Sequence, residues 1–169
     1  MTSTKEELLG ILIPQGELTY LLPNVAIAEI FTLQTLFDKD ENSPDWVMGN
    51  IEWKNRKLPL LVFNNIIKDT EFALAQHQSA QEPRVAIINS LNKPGPPQYS
   101  VFCSKIPKLS RLKASELQDF HYTDDYSNDS LDLSQHINHP SVACCTLHGG
   151  ELILIPQLIW IEKAIHQHK

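Results

Sequence analysis

Cys103, Cys144 and Cys145 are the only thiols of the chain, and His136 and His139 stand three residues apart with Asp132 nearby. A thiol beside a cation can act as a nucleophile, and Lys105 follows Cys103 by two residues, on the same face of a strand. Against this, a cysteine in an alternating strand is more often a core position, and no histidine is spaced to pair with any of the three. Two histidines three apart on a helix would share one face and could share a metal. Yet Pro140 follows at once, and "SQHINHPS" reads as loop, where solvated histidines are the plainer account. His166 and His168 read as surface residues near the end of a helix. Asp124, Asp125, Asp129 and Asp132 lack the fixed glycine and closing glutamate of a calcium-binding EF-hand loop, so they read as a solvated acidic loop. With six glycines the chain carries neither GxGxxG nor GxxxxGK[ST], and neither GxSxG nor HExxH occurs. No catalytic residue, metal or cofactor is assigned on these grounds. A thiol- or metal-dependent enzyme using Cys103 or the His136–His139 pair stands as the alternative class.

What remains is recognition chemistry. Lys54, Arg56 and Lys57 are concentrated in "EWKNRKLP", within a chain whose net charge is −6. Such a cluster is either simple solvation or a patch that orients an acidic or helix-lined partner. Trp46 and Trp53 lie near it, and could anchor that contact or fill the core between two lobes. The acidic balance argues against sequence-independent binding to nucleic acid.

The elements that must hold these residues are mostly short strands. "LLGILIP" and "ELTYLL" read as two strands turning at Gly16, and "VAIAEIF" continues the sheet pattern. Ser43 before Pro44 predicts a single helical turn. "GNIEW" and "KLPLLVF" predict a hairpin with "KNR" at its tip, and Pro59 predicts that its second strand lies at a sheet edge or begins there. "RVAIINSL" and "YSVFCSKI" flank the loop "NKPGPP". "KASELQDF" and "TEFALAQHQ" carry short-helix signals. "SVACCTL" and "ELILIP" turn at Gly149–Gly150, and "QLIWIEKAIHQ" predicts a terminal helix. No βαβ spacing appears, so a parallel sheet is not expected, and small antiparallel barrels fit best. One echo stands out. "GELTYLLPNVAIAE" from Gly16 and "GELILIPQLIWIE" from Gly150 share Gly-Glu-Leu, a strand, a proline, and a glutamate six positions beyond it. The organisation expected is a single domain of two lobes over 8–166, an extension at 1–7, a polar linker or short helix at 68–83, and an exposed acidic loop at 121–141. No stretch has the make-up of a signal peptide or a membrane span, so a cytoplasmic protein without direct membrane insertion is expected.

The order of these features resembles the CheW-like coupling proteins of bacterial chemosensory systems, whose first third runs "yaLp…V.EI", a loop, then "P.wv.G…NLRG…PV.DL". Leu21, Leu22 and Pro23, the run "VAIAEI", then Pro44, Trp46, Val47, Gly49, Pro59 and Leu60 carry the likeness. Within that family the chain looks most similar to the ChpC branch, which accompanies chemosensory pili. The resemblance implies a mainly β fold of two intertwined five-stranded antiparallel barrel lobes, SH3-like, with a few short helices. It also implies a non-catalytic adaptor coupling a chemoreceptor's helical cytoplasmic tip to a CheA-type histidine kinase, here in type IV pilus twitching motility. Carried over by position, Ile27 and Glu29 match a groove where a receptor helix docks, and Lys54 matches the arginine of "NLRG"; with Trp53 and Arg56 these form the expected partner-binding set. "NLRG" is "EWKN" here, so Glu52, Lys54 and Asn55 depart from the pattern, and Val62 stands where an aspartate is usual. Lysine cannot make arginine's two-pronged contact with a carboxylate. A CheW-like regulator that has lost receptor coupling is therefore a second expectation.

Overall fold

Hairpins dominate the chain because its apolar runs are short and separated by residues that accept a left-handed backbone. In the computed structural model, which describes residues 7–67, 82–92, 97–119 and 137–168, the Gly16 turn joins β1 (Glu7–Gln15) to β2 (Leu18–Pro23). Gly149 and Gly150, with φ of 58° and 82°, join β10 (Val142–His148) to β11 (Glu151–Pro156). The third hairpin, β4 (Val47–Trp53) and β5 (Arg56–Leu61), turns on Lys54 and Asn55 at φ of 49° and 60°. That two-residue turn requires positive φ twice, and asparagine tolerates it better than lysine.

The strands form two sheets. One runs β8-β1-β2-β11-β10-β9, with β8 at Lys108–Lys113 and β9 at Gln118–Asp119, and so draws on both halves of the chain. The other runs β3-β6-β7-β5-β4, with β3 at Ile27–Thr32, β6 at Arg84–Asn89 and β7 at Gln98–Cys103. Two interwoven, mainly β lobes therefore stand as expected, one sheet gaining a sixth strand from the two-residue β9. Among the described residues neither sheet closes on itself by backbone pairing, and each contains one parallel pair, β2 with β11 and β5 with β7. Parallel neighbours were not expected, because the connections that bring them together are whole intervening elements rather than a βαβ unit. The first of these pairs is the internal echo itself. Thr19 faces Ile153 and Tyr20 faces Leu154, which is the register in which the two Gly-Glu-Leu segments align.

Three apolar clusters follow from strand alternation. Tyr20, Leu22, Ile88, Tyr99, Val101 and Leu154 belong to the core between the lobes. The helix α2 (Leu158–Gln167) adds Leu158, Ile161 and Ile165 to it. Ile51, Trp53, Leu60, Val85, Ile87 and Phe102 fill the five-stranded lobe, and Leu21, Leu112 and Ile153 the other. Gln15, on β1, spans the lobes as a buried polar staple. Its Nε2 donates to the Phe102 carbonyl at 2.8 Å, and its own carbonyl accepts Asn64 Nδ2 at 2.9 Å. Asn64, in the short helix α1 (Phe63–Ile67), accepts the Tyr20 hydroxyl at 2.7 Å.

The single turn expected at Pro44 is present, closed by the Val47 N–H on the Pro44 carbonyl, and it goes no further because Val47 already enters β4. Other local expectations change. "KASELQDF" yields only a 3₁₀ turn at Ala114–Glu116, since Gln118 and Asp119 pair with Leu147 and Thr146 of β10. Pro59 does not mark an edge, for β5 lies between β7 and β4. Asn50, opposite Pro59, spends its backbone N–H and C=O on Phe37, and the pairing to β7 begins only at Leu60, so no neighbour asks Pro59 for a donor. The "TEFALAQHQ" stretch and His136 lie outside the described residues, as does most of the acidic loop, whose end packs down with Ile137 against the central core and Ser141 buried.

Candidate functional site

β3 and β4 are the two edges of the five-stranded sheet, and what bridges them is a side-chain contact. Trp53 Nε1, at the end of β4, donates to Glu29 Oε2 on β3 at 2.8 Å. The indole is 8% exposed and packs into the lobe's own apolar cluster, while the carboxylate stays in solvent. Lys54 Nζ lies 4.3 Å from the centre of the same ring, and the Arg56 guanidinium carbon 5.1 Å from it. Arg56 arrives there because it is the cross-strand partner of Trp53, and Lys54 because the tight turn folds it back. Contacts of this kind between cation and ring contribute about 0.5–1 kcal/mol at exposed sites. The third basic residue, Lys57, reaches Asp40 at 3.1 Å, both exposed. No ion pair joins Lys54 to Glu29; the carboxylate is satisfied by the neighbouring indole instead.

Four of the five expected recognition residues are thus gathered at one seam: Glu29, Trp53, Lys54 and Arg56. Ile27 is not among them. The register between β3 and β6 shifts, with Ile27 opposite Ile88 and Glu29 opposite the adjacent Ile87, so Ala28 is an extra residue. That bulge puts Ile27 against the inter-lobe core and Glu29 on the other face. The tryptophans divide in the same way. Trp46 packs on the inter-lobe core, with its ring 6.0 Å from that of His168, whereas Trp53 belongs to a single lobe.

The candidate chemical groups sit elsewhere. Cys103 is fully buried, its thiol pushed up to about 12 by desolvation, so Lys105 confers no activation on it. Cys144 is exposed and Cys145 half-buried, the latter also raised by burial. His139 takes Ser141 Oγ at 2.8 Å, stacks edge-on to Trp160, and has its pKa lowered by partial burial. Among the described residues no group of three His, Cys, Asp or Glu could hold a metal ion.

Glu162, the glutamate that closes the internal echo, carries no site role in the sequence reading. It is fully buried on α2, and its carboxylate accepts the backbone N–H groups of Leu91 and Asn92 at 2.7–3.1 Å and the Tyr99 hydroxyl at 3.4 Å. The Tyr99 pKa is raised by burial first and by that carboxylate second. Glu162 stands four residues after Leu158 and three before Ile165, within the helix's apolar stripe, and it is the second glutamate of the internal echo, as Glu29 is the first.

No sequence-family profile matches this chain, and no curated protein does. Among solved structures it is similar to the scaffolding protein TtCheW from Thermoanaerobacter tengcongensis, with a TM-score of 0.58 and 12% identity over 89% of each chain. At that identity the likeness establishes a CheW-like fold. Among the described residues no helix is long and apolar enough to cross a membrane.

Proposed function

We propose that the protein is a non-catalytic adaptor of a chemosensory pathway, joining a CheA-type histidine kinase to chemoreceptor tips in the cytoplasm. In the finer reading, it serves the ChpC-like branch that controls type IV pilus twitching. The observation that carries this is the fold shared with a scaffolding protein over nearly nine-tenths of both chains. The "VAIAEI" and "PDWVMGN" segments support it independently. A second reading, a CheW-like regulator without receptor coupling, is favoured by one feature of the seam. Glu29 and Lys54, although exposed, both rest on Trp53 rather than standing free of the lobe.

The test is binding of the purified protein to the kinase and to receptor cytoplasmic fragments from its own cell, with Glu29→Lys and Lys54→Glu alongside. The adaptor reading expects micromolar or tighter binding to both, weakened more than tenfold, or about 1.4 kcal/mol, by the reversals. Kinase binding without receptor binding would select the second reading. Binding to neither would end both.

A further inference from the structure

The six-stranded sheet presents a second surface, remote in function from the seam. Its β8–β1–β2–β11 face holds an open groove of about 420 Å³ floored by Leu12, Pro14 and Thr19. Strand order sorts the charges across it. Lys105 and Lys108 stand on the β8 side, with Ile106 between them 55% exposed; Glu17 and Glu151 stand on the β2–β11 side. The two glutamates are the paired positions of the internal echo, and the parallel pairing of β2 with β11 brings both to the same groove. Like charges so placed repel, and none of the four charged residues has an ion-pair partner among the described residues.

A groove basic along one rim and acidic along the other is complementary to itself after a half-turn. We propose that this face binds a second copy of the chain about a two-fold axis. Lys105 and Lys108 of each copy then meet Glu17 and Glu151 of the other, and the two Ile106 side chains leave water. Two-fold interfaces repeat each contact twice, so every charge finds an opposite partner without a second surface. Edge-to-edge pairing through β8 would do the reverse, setting Lys108, Arg111 and Lys113 against their own copies. The proposal does not depend on the adaptor reading.

Sedimentation of two complementary variants tests it. Lys105→Glu with Lys108→Glu makes both rims acidic, and Glu17→Lys with Glu151→Lys makes both basic. All four sites are exposed, and circular dichroism verifies folding. Wild type is expected to form a closed dimer that dissociates in 1 M salt, where screening acts within ~3 Å. Each variant alone associates at least tenfold more weakly, and an equimolar mixture of the two regains the dimer. A monomeric wild type, variants that dimerise as well as wild type, a mixture that stays monomeric, or association that grows beyond two copies would each overturn the proposal.

Discussion

The bridge between the open edges of the five-stranded sheet is measurable by a double-mutant cycle on Glu29 and Trp53. Trp53→Phe removes the Nε1–H donor while keeping a ring for Lys54 and Arg56 to rest on. Glu29→Ala removes the acceptor and leaves the indole N–H facing partly exposed space. A hydrogen bond to a charged group contributes about 1.5–3 kcal/mol, and the solvent around this exposed carboxylate reduces that to about 1 kcal/mol. Trp53→Phe should destabilise by roughly 2–3 kcal/mol, because the smaller ring also gives up packing in the lobe core. Glu29→Ala should cost about 1 kcal/mol. The double variant should cost about 1 kcal/mol less than the sum of the two, the shared bond having been counted twice. Urea denaturation reads each value, and in a chain of this size ~1 kcal/mol moves Tm by about 2–4 °C. Amide exchange along β3 should quicken in Glu29→Ala. A coupling within about 0.3 kcal/mol of zero, the ordinary limit of additivity, would refute the seam as an energetic bridge.

Gly49→Ala should destabilise by roughly 2–4 kcal/mol in the same assay. A Cβ there would lie 2.5 Å from the Phe37 carbonyl oxygen and 2.8 Å from Leu36 Cδ1, prising apart the Phe37–Asn50 bridge; wild-type stability would disprove that close approach. Cys103 predicts an alkaline weakness. Its thiol ionises near 9.0 when unfolded but only near about 12 when folded, so above pH 9 the unfolded state sheds a proton that the folded state keeps. Stability should therefore fall as pH rises through that window, approaching about 1.4 kcal/mol per pH unit. Cys103→Ala should lose that share of the slope, and equal slopes in the two proteins would refute the assignment.

Turns were legible because they are chemistry of single residues: Gly16 and Gly149–Gly150 fix their hairpins by admitting positive φ. Asn55 belongs to a residue type that admits a left-handed backbone, and it adopts one. What alternation cannot tell is which hairpin lies beside which, so the parallel joins β2–β11 and β5–β7 stayed hidden. For the same reason the bulge at Ala28, which parts Ile27 from Glu29 although the resemblance assigns both to one groove, is invisible in the sequence. "KASELQDF" misled because helix propensity is weaker than the pairing of Gln118 and Asp119 with β10. Of the candidate site, the residue types were legible and their partners were not. Glu29 could be singled out, but nothing in one dimension says that its acceptor oxygen goes to Trp53.

That assignment changes how the recognition experiment must be read. If Glu29 and Lys54 formed an ion pair, exchanging their charges would restore it and the doubly reversed protein would recover. Here each meets Trp53 separately, the carboxylate at the indole nitrogen and the ammonium over the ring. Glu29→Lys therefore sets a cation where the Nε1–H expects an acceptor, and Lys54→Glu sets an anion over the electron-rich ring face. Both changes loosen the seam, and together they do not repair it. Lost partner binding in either variant could then come from an open lobe rather than a missing contact. Trp53→Phe separates these causes, since it weakens the seam while leaving Glu29 and Lys54 in place. If binding survives Trp53→Phe but fails in Glu29→Lys, the carboxylate contacts the partner directly. If binding falls in step with stability across all three, the seam supports the docking surface without being part of it.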